Sequence, residues 1–498
     1  MEHFDVLIVG AGLSGIGAAA HLKMECPQKN FAILEGRAAM GGTWDLFRYP
    51  GIRSDSDMYT LGYRFRPWSD LNAIADGSSI LNYIRETAQE FKIDEKVRYN
   101  HRVNKASWSS ENALWTVEAQ TGEDNSNIRL TCNFLYLCTG YYDYENGYTP
   151  EWSGMNRFGG RIVHPQKWTE DIDYAGKRVV VIGSGATAIT LVPAMAERAV
   201  QVTMLQRSPT YIVSRPAKDK IANRLRAILP ARAAYAITRW KNVLLGTFFY
   251  NLARKRPSVM KRLIAKGVKK ELGEEFDLKH FTPSYNPWDQ RLCLIPDSDL
   301  FRAIREGRAS VVTDHIETFT ETGLQLKSGE HLDADIIVTA TGLVLKLMVG
   351  LQLLVDDTPV DMSKTFAYKG MMYSDVPNLA SAFGYTNASW TLKCDLTAEY
   401  VCRLLKYMER HDYDICTPRV NDPSIEAEPV LDFTSGYVQR SLDTLPRQGS
   451  KPPWRLHQNY VKDLGMLRYG RVDDDTMEFK ASSAARRSCG KAAESNSL

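Results

Sequence analysis

The apolar and polar positions of the first thirty-five residues predict a strand, a tight turn, a helix and a second strand. The apolar run Phe4–Val9 leads into a glycine turn, a helical pattern extends to about Met24, and the apolar run Phe31–Leu34 follows. The same order recurs at mid-chain, with apolar runs at 177–182 and 200–205 on either side of a glycine turn and a helix to about Arg198. The sequence therefore predicts two βαβ units in one chain.

Two further apolar strands, 134–139 and 336–341, each end in Thr-Gly. Because glycine allows a sharp backbone turn beside a cofactor, we expect the chain to pass between domains near 140–150 and 342–350. The predicted fold is α/β, with two Rossmann-like dinucleotide-binding domains and a helical insert. The predicted divisions are a first domain in two parts, 1–145 and 343–480; a second domain, 150–342, with its insert at about 210–285; and a disordered tail, 481–498.

The predicted insert is strongly basic. Between Arg215 and Lys270 there are sixteen Lys and Arg residues and one acid, Asp219, interleaved with the apolar run 244–250. Two interpretations stay open for residues 215–270. They form either a solvated helical cap above an active site or a basic amphipathic surface that contacts a membrane.

Composition narrows the function classes. The 498 residues are 44% hydrophobic and 24% charged, as in globular domains, and the net charge of +3 gives no reason to expect a nucleic-acid partner. Acids at the N-terminus and the lack of a long apolar run favour a cytoplasmic protein, peripheral to the membrane if the insert contacts lipid. The eight cysteines show no CxxC or zinc spacing, so we expect neither a dithiol centre nor a metal site.

The first glycine turn has the spacing of a dinucleotide site. Gly10, Gly12 and Gly15 form GxGxxG between strand and helix, which directs the helix N-terminus toward a pyrophosphate. Glu35 follows at the end of the second strand, where a carboxylate can accept ribose hydroxyls. We expect a tightly held flavin, FAD, at this site.

The second turn predicts NADPH rather than NADH. Gln206 takes the place of the ribose-binding acid, and Arg207 and Ser208 offer a cation and a hydroxyl to a 2′-phosphate. The predicted cofactor contacts within the turn itself are Gly183, Ser184, Gly185, Ala186, Thr187 and Ala188.

Three stretches carry a resemblance to a known family. Residues 41–55 fit GGxWxxxxYPGxxxD, residues 285–296 are similar to a segment that carries an active-site arginine, and Phe158, Gly160, His164 and Trp168 fit FxGxxxHxxxW. Together they resemble the flavin-dependent Baeyer–Villiger monooxygenases, closest to the ethionamide-activating type. Thr169 departs from the Pro or Asp that is usual in that family.

The resemblance implies roles for individual residues. Arg291 is the catalytic cation, which stabilises negative charge on oxygen, and Asp55 pairs with it. His164 and Trp168 link the domains and position NADP. The aromatic segment 383–390 either lines the substrate pocket or belongs to the core. The implied flavin contacts are Ser14, Thr43, Trp44, Asp45, Leu46, Asp55 and Val103.

We therefore expect a monooxygenase that uses FAD, NADPH and O2 to insert oxygen into ketones, with S-oxidation of sulfides or thioamides as a second activity. One alternative is an N- or S-oxidising flavin monooxygenase without ketone activity. A disulfide reductase is disfavoured because a CxxC pair is missing. A non-catalytic flavin-bound redox sensor or membrane-surface module is favoured only by the basic segment.

Overall fold

The computed structural model describes residues 1–122, 126–290, 292–431 and 433–482. It confirms the α/β class with two Rossmann-like domains and a helical insert. Arg291 and, apart from Ala481 and Ser482, the predicted tail lie outside the described residues. The Ser482 N–H donates to Asp414 Oδ2 at 2.7 Å, so the chain remains bonded to the fold at this point.

The first domain is built on a mixed sheet of nine strands in the described part of the chain. Glu2–Val9 lies parallel to both of its neighbours, Phe31–Leu34 and Ser126–Leu137, as a doubly wound sheet requires. Leu379–Ser381 also pairs with Ser126–Leu137. The other strands run in the order Thr358–Pro359, Gln352–Val355, His101–Ser109, Leu114–Thr121, Ser126–Leu137, Glu2–Val9, Phe31–Leu34, Val97–Arg98.

The second domain has a parallel sheet of five strands among the described residues. Two of its strands, Arg178–Ile182 and Ile336–Thr339, carry consecutive buried Val and Ile residues, as is typical of a parallel sheet covered on both faces. The order is Ala309–Thr313, Gln201–Gln206, Arg178–Ile182, Ile336–Thr339, Arg161–Val163.

The two stretches where the sequence predicts domain crossings pair with each other. Tyr142–Gly147 lies antiparallel to Leu343–Leu345, and we name this pair the crossing ribbon. The domain limits at 145 and 342 themselves stay predictions.

Helices cover the sheets and form the insert. The helix of the second glycine turn ends at Met195, three residues before the predicted end, although Ala199 N–H still donates to Met195 O at 2.9 Å. The helices are Leu13–Glu25, Thr43–Leu46, Met58–Leu61, Gly77–Glu90, Ala186–Met195, Lys220–Ile228, Ala231–Lys255, Pro257–Leu272, Asp299–Arg305, Trp390–Arg410, Gly436–Gln439 and Tyr460–Leu464.

Short strand pairs complete the two domains. The remaining strands are Ile212–Arg215 with Cys293–Pro296; Ile316–Phe319, Gly323–Leu326 and His331–Asp333; Ala367–Tyr368 with Met372–Tyr373; Ile415–Pro418 with Met477–Lys480; and Ala427–Pro429 with Arg447–Gly449.

One face of the helix Ala231–Lys255 fixes the insert to the first domain. The Arg239 side chain is buried, and its guanidinium donates to Tyr59 O at 2.8 Å and to Gly62 O at 2.7 Å. One turn earlier the Tyr235 hydroxyl donates to Tyr63 O at 3.0 Å. Arg239 Nη2 also pairs with the buried Asp395 at 3.4 Å, so these carbonyls and this carboxylate determine how the helix sits on the domain.

Within the described ranges, no helix is long and apolar enough to cross a membrane, and no group of three metal-binding side chains occurs. None of the seven cysteines in these ranges forms a disulfide, and all seven are buried.

Candidate functional site

The first glycine turn is a cradle in which two glycines are required by packing. Gly10 has φ of +102°, and a Cβ there would lie 2.5 Å from Cys138 O. A Cβ on Gly15 would lie 1.9 Å from Gly10 O. Gly12, in contrast, has only Gly42 near its Cβ position, at 3.5 Å. The turn therefore brings bare backbone to the helix N-terminus, which fits a pyrophosphate.

Glu35 closes this cradle from the strand end. Ala11 N–H donates to Glu35 Oε2 at 2.8 Å, and Arg37 N–H donates to Oε1 at 3.0 Å. Burial raises the pKa of Glu35, and these two backbone hydrogen bonds oppose the shift. Each oxygen keeps a further lone pair, so the fixed carboxylate fits the predicted contact with ribose hydroxyls.

Residues 41–55 connect the cradle to the second domain. Gly41 N–H donates to Ala11 O at 3.0 Å, at the start of the segment. Further along, a Cβ on Gly51 would lie 2.7 Å from Ala194 Cβ on the helix Ala186–Met195. The Tyr49 hydroxyl hydrogen-bonds with Thr187, and burial raises its pKa to about 12. The Tyr-Pro-Gly part of the signature is thus a contact between the two domains.

Asp45 is buried among three guanidinium groups. Its carboxylate pairs with Arg37 at 2.7 Å, Arg48 at 3.4 Å and Arg85 at 3.5 Å. These pairs hold the short helix Thr43–Leu46 against the cradle. Because the carboxylate is paired with arginines, a flavin contact at Asp45 would use other atoms of the residue.

The other predicted flavin contacts lie around the same cradle. Ser14 Oγ accepts from Trp390 Nε1 at 3.0 Å, and Thr43 hydrogen-bonds with the Tyr144 hydroxyl. Trp44 packs on the core of the first domain, and Leu46 packs on the core of the second. Val103 is buried on the strand whose first residue, His101, donates its N–H to Glu35 O.

In the second glycine turn, one glycine has open space in front of it. Gly183 has φ of +133°, and a Cβ there would lie 2.3 Å from Ala340 O. A Cβ on Gly185 would have no described heavy atom within 4 Å. Ser184 Oγ hydrogen-bonds with Thr210 Oγ1 at 2.8 Å, and Ala188 is buried. The space in front of Gly185 fits a phosphate group approaching the helix Ala186–Met195.

Gln206, which stands in place of the ribose-binding acid, directs its side chain into the protein. Gln206 is buried, and its Nε2 donates to His280 O at 2.7 Å and to Thr313 Oγ1 at 2.9 Å. Arg207 and Ser208, which follow directly, are exposed. Only the cation and the hydroxyl therefore face outward from this strand end, an arrangement that suits a 2′-phosphate.

His164 and Gln166 bind both strands of the crossing ribbon. His164 Nδ1 accepts from Gln166 N–H at 3.2 Å, which leaves Nε2 to donate to Gly342 O at 3.2 Å. Burial lowers the pKa of His164 and favours this neutral form. Gln166 Nε2 donates to Asp143 O at 2.7 Å on the other strand. The sequence analysis did not single out Gln166, although its place inside the fingerprint was a signal.

The rest of the fingerprint is packing within the second domain. The Phe158 ring contacts Phe319, with centroids 6.4 Å apart, and a Cβ on Gly160 would lie 2.3 Å from Asp335 O. Trp168 packs edge to face on Tyr174. Thr169 O accepts from Ile172 N–H at 3.3 Å, so the residue that departs from the family pattern starts a turn.

A cavity of about 1150 Å³ lies between both domains and the insert. Asp55, Trp288 and Leu292 line it, so the end of the 41–55 signature and the residues around position 291 meet at one place. Asn242 Nδ2 donates to Asp57 Oδ1 at 2.8 Å in the same wall, a pair that the sequence did not reveal. Only part of the aromatic segment 383–390 reaches this cavity. Residues 386–389 line it, whereas Trp390 stacks on Tyr141.

The fold and the two cradles define an oxidoreductase with two dinucleotide sites. The chain belongs to the flavin-binding monooxygenase-like family, whose profile matches residues 63–406, and a profile of NAD(P)-binding Rossmann-like domains matches residues 8–71. The predicted membership of the flavin monooxygenases is thereby confirmed.

The chain is similar to the FAD-containing monooxygenase EthA of Mycobacterium tuberculosis, with 55% identity over 96% of this chain and 98% of that protein. Two solved structures share the fold. An oxidized steroid monooxygenase bound to NADP has a TM-score of 0.75 and 21% identity over 96% of this chain and 100% of that one. An open cyclohexanone monooxygenase has a TM-score of 0.74 and 18% identity over 97% of this chain and 100% of that one.

Proposed function

We propose that this protein uses NADPH and O2 to insert one oxygen atom into ketones, giving esters or lactones, and that it also oxidises sulfides or thioamides at sulfur. The cofactors are FAD, at the cradle of Gly10 and Glu35, and NADPH, at Gly185 and Arg207. When bound, the nicotinamide supplies a hydride and the flavin supplies the reaction with O2. The observation that carries the proposal is the cavity shared by Asp55, Trp288 and Leu292.

Arg291 is the proposed catalytic residue. It lies outside the described residues, but its neighbour Leu292 lines the cavity. An arginine keeps its proton at any physiological pH, so it stabilises negative charge on oxygen without quenching it. Asp55, at the same cavity, is proposed to orient this guanidinium. The pairing of Asp55 with Arg291 stays a prediction.

The cavity walls suit a largely apolar carbonyl compound. Ile212 and Val243 come from the insert and Leu392 comes from the first domain, and all three contribute apolar surface. Several residues of the insert, Val243 among them, form part of the cavity wall. Arg215, Lys218 and Lys220 also line the cavity, so the proposal depends on the placement of Arg291 beside the reacting oxygen and not on positive charge alone.

His164 is the proposed positioning residue for the two cofactors. Its neutral ring joins Gly342 to the second domain, and Gln166 joins Asp143 on the other strand of the crossing ribbon. Hydride transfer requires the two dinucleotides to meet at a defined distance. A ribbon held at both strands is a means to fix that distance. The role of Trp168 in the same linkage stays a prediction.

Arg291→Ala tests the proposed role. The variant should keep bound FAD and should still oxidise NADPH, because both glycine turns are unchanged. Ester formation should fall by about 10²–10³, the usual cost of removing one preorganised group at a developing oxyanion. Arg291→Lys should restore little of it. As a matched control, Arg207→Ala removes an exposed arginine and should weaken the binding of NADPH instead. Ester formation by Arg291→Ala at the wild-type rate would refute the assignment.

A further inference from the structure

The helix Ala231–Lys255 carries an apolar stripe on its outer face. Leu244 is 55% exposed and Phe248 is 60% exposed, and they continue a row that begins with Ile237 and Trp240. These residues recur every three or four positions, so they share one side of the helix. The opposite side holds Tyr235 and the buried Arg239. The stripe is therefore the surface that the insert presents to its surroundings.

The two neighbouring helices of the insert repeat this arrangement and add positive charge. On Lys220–Ile228, Arg224 lies between the exposed Ile221 and Ile228 on one side of the helix. On Pro257–Leu272, the exposed Leu263 shares a side with Lys266 and Lys270. Spacings of three, four and seven residues place cation and apolar side chains together.

Such a surface has the chemistry of a lipid interface. Aliphatic and aromatic side chains enter the boundary between head groups and acyl chains, while Lys and Arg reach the phosphates. Residues 215–270 contain sixteen basic residues and one acid, a net charge of 16 − 1 = +15, of which the buried Arg239 contributes one charge on the inner side. A second copy of this face would be repelled by the same charge. Nucleic-acid phosphates would match the charge and leave the apolar stripe in water.

We propose that the helical insert docks on the surface of a bilayer that contains anionic lipid. The mouth of the cavity belongs to the same surface, because Ile221, Phe249 and Leu263 both line the cavity and are at least 40% exposed. Docking would therefore turn the mouth toward the bilayer. This orientation would give lipophilic substrates dissolved in the membrane a direct path into the cavity. That consequence rests on the proposed function.

Co-sedimentation with vesicles tests docking without any activity assay. Full-length FAD-loaded protein should bind vesicles of phosphatidylcholine and phosphatidylglycerol at a molar ratio of about 2:1 and bind pure phosphatidylcholine much less. The binding should weaken as salt is raised. Leu244→Ser/Phe248→Ser changes two residues that do not themselves line the cavity, although the Phe248 ring packs on that of Phe249. It should lower the partition coefficient about tenfold or more, since each side chain loses its burial in lipid. Arg224→Glu/Lys266→Glu should act similarly through charge.

Matched variants elsewhere on the surface provide the controls. Val200→Ser/Tyr469→Ser removes equally exposed apolar groups, and Lys327→Glu/Lys364→Glu reverses two exposed charges. Both should bind vesicles like the wild type, and all four variants should retain FAD. Vesicle binding that is absent in the wild type, or equal in insert and control variants, would overturn the proposal. So would dimerisation or DNA binding through the insert without vesicle binding. Loss of ketone oxidation with docking intact would affect only the proposed function.

Discussion

The imidazole ring of His164 lies directly on Gly147. A Cβ at position 147 would come within 1.9 Å of His164 Cε1 and 2.3 Å of Nε2, so only a glycine leaves room for the ring. Gly147 is the last residue of one strand of the crossing ribbon. His164 also donates a hydrogen bond to the carbonyl of Gly342, the residue directly before the other strand. The histidine of the fingerprint thus belongs to the junction between domains.

Gly147→Ala should disturb this junction. The added methyl would displace the ring or separate the strands, which we expect to cost about 1–3 kcal/mol of folding free energy. Thermal unfolding measures the loss, and the KM for NADPH should rise with it because the domains shift. Gly465→Ala, where a Cβ has no described heavy atom within 4 Å, is the control and should unfold like the wild type. Equal stability of both variants would contradict the account.

Gly185→Ala should weaken the binding of NADPH without destabilising the fold. Its Cβ would meet no described atom within 4 Å, so thermal stability and FAD content should stay unchanged. The methyl would occupy the space assigned to a cofactor phosphate, and the KM for NADPH should rise at least about tenfold through loss of close backbone contact. Gly183→Ala, which would meet Ala340 O, should instead lose stability. An unchanged KM for NADPH in Gly185→Ala would show that the cofactor phosphate does not bind at this turn.

The preference for NADPH should depend on Arg207. Arg207→Ala removes one charge-assisted contact worth about 1.5–3 kcal/mol, so the KM for NADPH should rise about ten- to a hundredfold. The KM for NADH should change little, because NADH lacks the 2′-phosphate. Steady-state kinetics with both cofactors measures the difference, and Ser208→Ala should show a smaller effect of the same kind. Equal losses with NADPH and NADH would refute the assignment.

Stability should fall in alkaline solution through His21. Burial opposes its charge, but hydrogen bonds to Asp395 and Glu25 and the nearby Glu399 outweigh this and raise its pKa to about 9. A folded-state pKa above the unfolded value stabilises the protein fully below about pH 6.5, and the contribution is lost as the pH rises through about 9. Thermal unfolding of His21→Gln should therefore lose part of its dependence on pH over this range. The exposed His315→Gln is the control.

The sequence predicts the parts of this protein that depend on local patterns. Apolar runs beside glycine turns indicate both sheets, because strand burial and tight turns leave short-range signals. Contacts between distant segments leave none. The burial of Gln206, the packing of Gly51 on Ala194 and the pairing of Asn242 with Asp57 all require the folded chain.

The insert shows the same limit in another way. Its charge is visible in the sequence, but the outer and inner faces of Ala231–Lys255 are both rich in apolar residues. Only the carbonyls that receive Arg239 show which face is turned inward. The exposed stripe could therefore be assigned only after the helix was placed on the first domain.

Product analysis under labelled oxygen shows whether this protein transfers an oxygen atom from O2 to a ketone. Purified FAD-loaded protein is given NADPH, ¹⁸O₂ and cyclohexanone, with a methyl aryl sulfide in a parallel reaction, and the products are identified by mass spectrometry. We expect a lactone that carries one ¹⁸O atom, formed in step with NADPH consumption and lost in Arg291→Ala. If a panel of linear, cyclic and aryl ketones gave no labelled ester while the sulfide was oxidised, the protein would be a sulfur-oxidising flavin monooxygenase and the proposed ketone chemistry would be wrong.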